Sequence, residues 1–265
     1  MAERYAVIGH PVAHSRSPWI HAEFARASGQ DIEYRRIEAP LDGFRRAAEE
    51  FRAAGGRGLN VTLPFKQEAF AYCREPSPRA RAAEAVNTLS FGESIVGDNS
   101  DGAGLVRDLG HNLHFDLRSC RALLMGAGGA ARGVIGALRE AGVAQLIIAN
   151  RTADKARELA ARFPGVRGCG YAELGEEAFG LIINATSAGL VEAAPPLPAT
   201  AFGRGALAYD MMYGRDTPFL AAARAAGART CDGLGMLVEQ AAESFFLWRG
   251  VRPQTGPVLR KLRGG

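Results

Sequence analysis

Residues 121–131 constrain this chain more than any other stretch. Arg121-Ala122-Leu123-Leu124-Met125 is an apolar run of strand length. Gly126-Ala127-Gly128-Gly129-Ala130-Ala131 follows at once, and a helical pattern then runs through Val134, Ile135 and Leu138. Strand, glycine-rich turn and helix in that order is the setting in which G-x-G-x-x-A carries meaning. Gly126 permits the tight turn, Gly128 lets a pyrophosphate approach the backbone, and Ala131 keeps the helix close to the strand. The free amides of the helix start, with the positive end of its dipole, attract phosphates. A second strand at 145–149 completes a βαβ unit. Gly126, Ala127, Gly128, Gly129 and Ala130 are therefore expected to bind a dinucleotide.

The end of that second strand selects the dinucleotide. An acidic residue there would bind the ribose hydroxyls of NAD. This chain has Asn150-Arg151-Thr152 instead, with Lys155 one turn into the next helix. A guanidinium, an ammonium and two neutral polar groups suit a 2′-phosphate, because Arg pairs with phosphate in a bidentate way. The competing explanation is a solvated basic helix start, diluted by Asp154. NADP is the expected cofactor.

At 265 residues the chain has room for about two domains. Its net charge is +4, with 32 Lys and Arg against 28 Asp and Glu, so a mild preference for small anions is expected. No basic run is interleaved with aromatics, which argues against nucleic acid. No apolar stretch reaches membrane-spanning length, and Met1-Ala2-Glu3-Arg4 leads into a strand rather than a signal peptide. The four cysteines, Cys73, Cys120, Cys169 and Cys231, are too scattered for a metal site or a disulfide framework. A reduced cytoplasm and no bound metal are expected.

Before the glycine-rich turn, the pattern alternates strands and helices. Residues 5–9 read as a buried strand. Ser17-Pro18 then reads as a helix start, with Ser17 as cap and Pro18 in the first turn. Ser15 and Ser17 at that helix mouth could cradle a carboxylate, or could serve only as loop and cap. A strand at 32–39 precedes an amphipathic helix at 41–54, with Leu41, Phe44, Ala48 and Phe51 on one face. Lys66 falls just past the end of a strand at 59–62, where open α/β sheets keep their ligands. Two more strands span 86–91 and 95–97, and 98–104 reads as a linker bearing Asp101. Beyond the dinucleotide unit, Asn184-Ala185-Thr186-Ser187-Ala188-Gly189 forms a polar loop at a strand end, and Pro195, Pro196 and Pro198 lie in another loop. A strand at 207–209 ends at Asp210-Met211-Met212-Tyr213. Residues 230–235 return the chain toward its first half, and helices follow at 234–248 and 253–261.

Taken in order, residues 9–21, 60–66, 85–88, 97–104, 126–131, 150–152, 184–189, 210–213 and 233–242 resemble shikimate dehydrogenase, of the shikimate/quinate dehydrogenase family. The resemblance spans nearly the whole chain. It implies an α/β protein of two domains. The first is an N-terminal α/β substrate domain with a mixed, mostly parallel sheet (1–100), to which the C-terminal helices return (234–265). The second is a Rossmann-like dinucleotide-binding domain (101–233). It implies NADPH-dependent reduction of 3-dehydroshikimate to shikimate, in aromatic amino-acid biosynthesis. Ser15 and Ser17 would hold the substrate carboxylate. Thr62, Asn87, Asp101 and Gln240 would bind ring hydroxyls, with Tyr213 reaching the substrate from the nucleotide domain. Lys66 and Asp101 would be the catalytic pair, and Met211 and Gly233 would flank the nicotinamide. Three departures stand out: His10 where the family commonly has Asn, Ser100 where Thr is usual, and a 214–216 loop without the frequent proline. None removes a proposed ligand.

Three other readings compete. A quinate or shikimate dehydrogenase using NAD is opposed by the paired serines and Arg151. A glutamyl-tRNA reductase would need a nucleophilic cysteine in the first domain, and Cys73 on a helix is a poor one. A catalytically silent NADP-binding sensor is opposed by retention of both Lys66 and Asp101. A monomer or a homodimer is expected.

Overall fold

The computed structural model describes residues 2–186 and 196–264. Ser187, Ala188, Gly189 and Pro195, read above as loop residues, lie outside them. The chain divides into two compact units, Met1–Arg107 with Leu237–Gly265, and Asp108–Met236.

The first unit opens with β1 (Glu3–Gly9), α1 (Ser17–Ser28), β2 (Ile32–Glu38), α2 (Phe44–Ala53) and β3 (Gly56–Val61). It continues with α3 (Lys66–Tyr72), β4 (Glu75–Pro76), α4 (Pro78–Ala83), β5 (Thr88–Phe91), β6 (Ile95–Asp98) and α5 (Asp101–Arg107). The sheet order is β2-β1-β3-β5-β6-β4. β1 pairs parallel with β2 and β3, β4 pairs parallel with β6, and β5 runs antiparallel to β3 and β6. The expected mixed, mostly parallel sheet is thus present. Ala6 and Ile8 alternate on one face of β1, as do Leu59 and Val61 on β3, and they pack with Phe44, Ala48 and Phe51 of α2.

Three local expectations fail. Leu41 is 68% exposed rather than part of the α2 face. Gly43 N donates to Pro40 O at 2.8 Å, closing a turn over 40–43, so the helix starts only at Phe44. Ser17 does not cap α1: Arg16 holds the cap position in a helical conformation, and Ile20 N donates to Arg16 O at 3.1 Å. The Ser17 hydroxyl is thereby left for another partner. The 98–104 segment is no solvated linker either, because Asp98, Asn99, Ser100 and Asp101 are all buried.

The second unit has a wide helical turn at Asp108–Asn112, then β7 (Arg121–Met125), α6 (Gly129–Glu140), β8 (Gln145–Asn150), α7 (Ala153–Ala160) and β9 (Arg167–Gly170). It continues with β10 (Phe179–Asn184), β11 (Phe202–Asp210), α8 (Pro218–Ala225) and β12 (Arg229–Cys231). Its sheet is parallel throughout, in the order β12-β11-β10-β7-β8-β9. Counted from β7, that is 6-5-4-1-2-3, the doubly wound order whose ligand crevice lies where the winding reverses, at β7 and β10. β7 and β8 fall where their apolar runs placed them. The edge strands β9 and β12 were not foreseen, and 229–231 is a strand paired with Leu207–Tyr209 rather than part of a return segment. Both edges are short and lack an apolar run, so their pairing with β8 and β11 defines them, with Cys169 of β9 buried in the core.

The chain ends with α9 (Leu234–Arg249) and α10 (Gly256–Leu262). Residues 237–265 fall in the first unit, where Trp248 stacks on Tyr5 at 4.6 Å and its indole donates to Leu89 O at 3.1 Å. Among the described residues no helix is long and apolar enough to cross a membrane.

Candidate active site

The polar cluster of the first unit grows from strand ends. Asn60 lies near the end of β3, and Thr62 is the first residue past it, opening the turn whose Phe65 N donates to Thr62 O at 3.1 Å. That turn delivers Lys66 as the first residue of α3. β6 ends at Asp98, and Asp101 opens α5 three residues later. Lys66 Nζ and Asp101 Oδ2 meet at 2.5 Å, with side chains only 12% and 5% exposed. Asn87 Nδ2 donates to the other carboxylate oxygen, Asp101 Oδ1, at 2.8 Å. Both oxygens are therefore held and the carboxylate cannot swing.

Asn87 is itself clamped. Its Nδ2 also reaches Gln240 Oε1 at 3.1 Å, and its Oδ1 accepts from Ser100 N at 2.8 Å and Thr88 Oγ1 at 2.9 Å. Lys66, Asn87, Asp101 and Gln240 are thus brought together. Thr62 is half-buried in the same turn, its backbone tied to Ile8 O and Phe65 N.

Ser15 and Ser17 form the second polar feature of this unit. Both are buried, and their hydroxyls are 3.2 Å apart. Arg36 on β2 grips Ser15 O through Nε at 3.0 Å and Nη2 at 2.6 Å, fixing the loop and placing a cation beside it. Two hydroxyls at one spot near a guanidinium suit a carboxylate.

The second unit carries the cofactor residues. Gly126 has φ +105°, a conformation that L side chains rarely adopt, and its amide donates to Ala149 O at 2.8 Å. Gly128 caps α6, is exposed, and a Cβ built there would meet nothing within 4 Å. The first amide to donate back into the helix is that of Arg132, to Gly128 O at 3.0 Å. Open space in front of a helix start that begins Gly128-Gly129-Ala130 is a phosphate cradle, so these residues fit a dinucleotide. Asn150, at the end of β8, donates to Thr152 O at 2.9 Å. Arg151, Thr152 and Lys155 are exposed, and Asp154 is drawn off by Arg157 Nη1 at 2.8 Å. Arg157 in turn grips Glu173. The acid that would dilute the positive loop is thus paired elsewhere.

Met211 and Gly233 also meet. A Cβ on Gly233 would lie 2.3 Å from Met211 O, and Gly233 N donates to Met212 O at 2.8 Å. We expect Gly233→Ala to destabilise the protein by about 1–3 kcal/mol, the cost of forced overpacking. Denaturant unfolding measures this, and an unchanged midpoint would show that the Met211 backbone yields freely. Behind these residues Asp210 accepts from Thr217 Oγ1 at 2.6 Å, Asn184 Nδ2 at 3.1 Å and Met212 N at 3.0 Å. That buried knot fixes the turn leading to Tyr213, which is half-buried.

Several supporting residues escaped the sequence reading. Tyr34 OH donates to Asn60 Oδ1 at 2.7 Å, and Asn60 Nδ2 donates to Ser244 Oγ at 2.8 Å. Burial keeps the Tyr34 phenol far above its ordinary pKa, so it stays a neutral donor. His21 stacks on Tyr34 at 4.2 Å, and burial pushes its pKa down to about 3, so it too is neutral. Ser244 could have been noticed one turn after Gln240 on α9. Asn60 could have been noticed two residues before Thr62. Nothing in the local sequence marked Tyr34 or Arg36. Ser100, noted as a departure, keeps a hydroxyl that reaches Gln240 O at 3.1 Å. Cys73 is half-buried with Sγ on Phe70 O at 3.2 Å, and burial raises its pKa, which makes it a poor nucleophile.

Comparison with known proteins bears on the same residues. Residues 7–89 match the shikimate dehydrogenase substrate binding domain, 108–191 match shikimate / quinate 5-dehydrogenase, and 233–263 match the shikimate 5′-dehydrogenase C-terminal domain. A protein of Aromatoleum aromaticum named shikimate dehydrogenase (NADP(+)) is 60% identical over 270 residues, covering 98% of this chain and 97% of that one. The chain belongs to the shikimate dehydrogenase family. Among solved structures, an Ael1 enzyme from Pseudomonas putida superposes with TM-score 0.93 at 48% identity, covering 98% of each chain. Shikimate 5-dehydrogenase from Thermus thermophilus, in complex with NADP(H) and shikimate, gives TM-score 0.89 at 38% identity and covers 99% of each chain. Two-domain members of this family thus share the α/β architecture described above.

Proposed function

We propose that this chain is an NADP-dependent shikimate dehydrogenase, an oxidoreductase that interconverts 3-dehydroshikimate and shikimate. The observation that carries this reading is the Lys66–Asp101 pair at 2.5 Å, with Asn87 on the second carboxylate oxygen and Gln240 beside it. Its family membership, and the NADP and shikimate in the Thermus thermophilus relative, support the same cofactor and substrate. We take residues 1–100 with 234–265 as the substrate-binding domain and 101–233 as the NADP-binding one, although Asp101–Arg107 falls in the first compact unit and Leu234–Met236 in the second. The enzyme works in the cytoplasm, as a monomer or a homodimer, on a small molecule.

When bound, NADPH supplies the hydride that reduces the ketone. Gly126, Ala127, Gly128, Gly129 and Ala130 hold its pyrophosphate. Asn150, Arg151, Thr152 and Lys155 hold the 2′-phosphate, and Met211 and Gly233 border the nicotinamide. Ser15 and Ser17 hold the substrate carboxylate. Thr62, Asn87, Asp101 and Gln240 take the ring hydroxyls and so fix the ring's orientation, and Tyr213 reaches the substrate as well. As the ketone becomes an alkoxide, Lys66 Nζ gives a proton to that oxygen, and in the reverse direction it takes the proton from the alcohol. Asp101 orients the ammonium and bonds the neighbouring hydroxyl. Two hydroxyls bind a carboxylate less tightly than an arginine fork would, which suits a product that must leave.

Replacing Ser15 and Ser17 together by Ala should weaken shikimate binding while the KM for NADP stays within about twofold. Each lost hydrogen bond to a carboxylate costs about 1.5–3 kcal/mol, or roughly 10- to 150-fold. Unchanged affinity would move the carboxylate to another cation, Arg36 being the first to test. For the reaction itself, NMR of purified protein with shikimate and NADP should show 3-dehydroshikimate appearing mole for mole with NADPH. Binding of both molecules without any product would favour the sensor reading.

A further inference from the structure

Away from the residues discussed so far, the first unit has a second concave site. The outer face of α2, the C-terminal end of α3 and the start of β6 border an open cavity of about 470 Å³, lined by Arg45, Glu49, Arg52, Tyr72 and Arg74 with Ile95. None of the substrate, cofactor or acid–base residues lines it. Three guanidinium groups against one carboxylate leave two positive charges over a small volume.

The arginine donors are poorly used. Arg45 approaches Glu49 only to 3.9 Å, and its guanidinium lies 5.3 Å above the centre of the Tyr72 ring. Arg52 Nη2 makes a long bond of 3.4 Å to Gly92 O. The Arg74 side chain makes no hydrogen bond or ion pair among the described residues, although its backbone amide is fixed on Ile95 O at 2.8 Å.

Beneath them, Tyr72 is 7% exposed, and its hydroxyl oxygen is buried without a hydrogen-bond partner. A buried hydroxyl left unpaired is unfavourable, and native proteins rarely leave one so. Tyr72 lines the same cavity, and the charges acting on its phenol are those of Glu49, Arg52, Arg45 and Arg74. Burial raises its pKa, which keeps it protonated and a donor.

We infer that this cavity is a binding site for a dianionic tetrahedral oxyanion, either inorganic phosphate or the phosphate group of a small metabolite. Such a group matches the two excess charges. Its several oxygens can accept from guanidinium forks and from the Tyr72 hydroxyl at once, which a single planar carboxylate cannot do as fully. Arg45 already lies 5.3 Å over the Tyr72 ring, so less freedom is lost when it is ordered.

The test is an amide chemical-shift titration of NADP-saturated protein with inorganic phosphate, at ionic strength matched with chloride. Prior saturation with NADP occupies the other phosphate-binding loop, at Arg151. Saturable shifts are expected in residues 45–53, 72–74 and 95, with no response to chloride. Tyr72→Phe should weaken binding about tenfold and Arg74→Gln by at least that much, the loss of one charge-assisted contact each. Both variants are checked for unchanged thermal midpoints. Glu49→Gln, which removes the one opposing charge, should tighten binding and cannot do so through misfolding. Shifts that fail to saturate, that chloride reproduces, or that are equal in all four proteins would overturn the site. A phosphorylated sugar binding tighter than phosphate would assign the site to a metabolite, and equal affinity would assign it to the free ion.

Discussion

Lys66→Ala should lower kcat by roughly 10²–10⁴, the loss expected for a positioned proton donor. The side chain sits at the first turn of α3, 12% exposed, with its ammonium locked on Asp101. Without it, the developing alkoxide must take its proton from water. The KM for NADP should change little, since the cofactor residues belong to the other unit. Asp101→Asn should share much of the loss, because it leaves the ammonium unpaired and gives Asn87 Nδ2 a weaker, neutral acceptor at 2.8 Å. The double variant should then be far less than additive, since the two groups act as one. Steady-state kinetics with shikimate measures all three. A near-normal kcat for Lys66→Ala would remove the lysine from the chemistry, whatever its contacts.

The second large effect is on cofactor choice. Arg151→Ala should lower NADP affinity roughly 10- to 150-fold, the loss of one charge-assisted contact of about 1.5–3 kcal/mol. NAD affinity should stay almost unchanged, because NAD has no phosphate at that position. Asp154 already pairs with Arg157, and Arg151 has no ion pair among the described residues. Asn150→Asp combined with Arg151→Ala should go further. The new carboxylate repels the 2′-phosphate and accepts from the ribose hydroxyls instead. The ratio of kcat/KM for NADP to that for NAD should therefore fall stepwise through wild type, the single variant and the double variant. A constant ratio would show that the phosphate is held elsewhere.

How much of this was legible in the sequence depended on how local each signal was. β7, the glycine-rich turn and α6 were readable because an apolar run and a fixed glycine spacing encode them within a dozen residues. β9 and β12 were not, because Arg-Gly-Cys-Gly and Arg-Thr-Cys become strands only through pairing with β8 and β11. Leu41 was misjudged because its helical spacing to Phe44 and Ala48 is real, yet Pro40 and Gly43 close a turn first. In the active site, Lys66 and Asp101 stood out only through the ordered family motifs. Their meeting is a tertiary fact, spanning 35 residues of sequence. Asn60, Tyr34 and Ser244 support the site through long-range hydrogen bonds, the last of them 184 residues from Asn60. No spacing rule reaches that far.

The most direct test of the account is one kinetic comparison on purified protein. Nicotinamide absorbance gives kcat/KM for four pairings: shikimate and quinate, each with NADP and with NAD. The paired Ser15 and Ser17 and the basic Arg151 loop predict the highest value for shikimate with NADP, with quinate or NAD each lowering it at least tenfold. Quinate exceeding shikimate, NAD exceeding NADP, or no turnover in any pairing would contradict it.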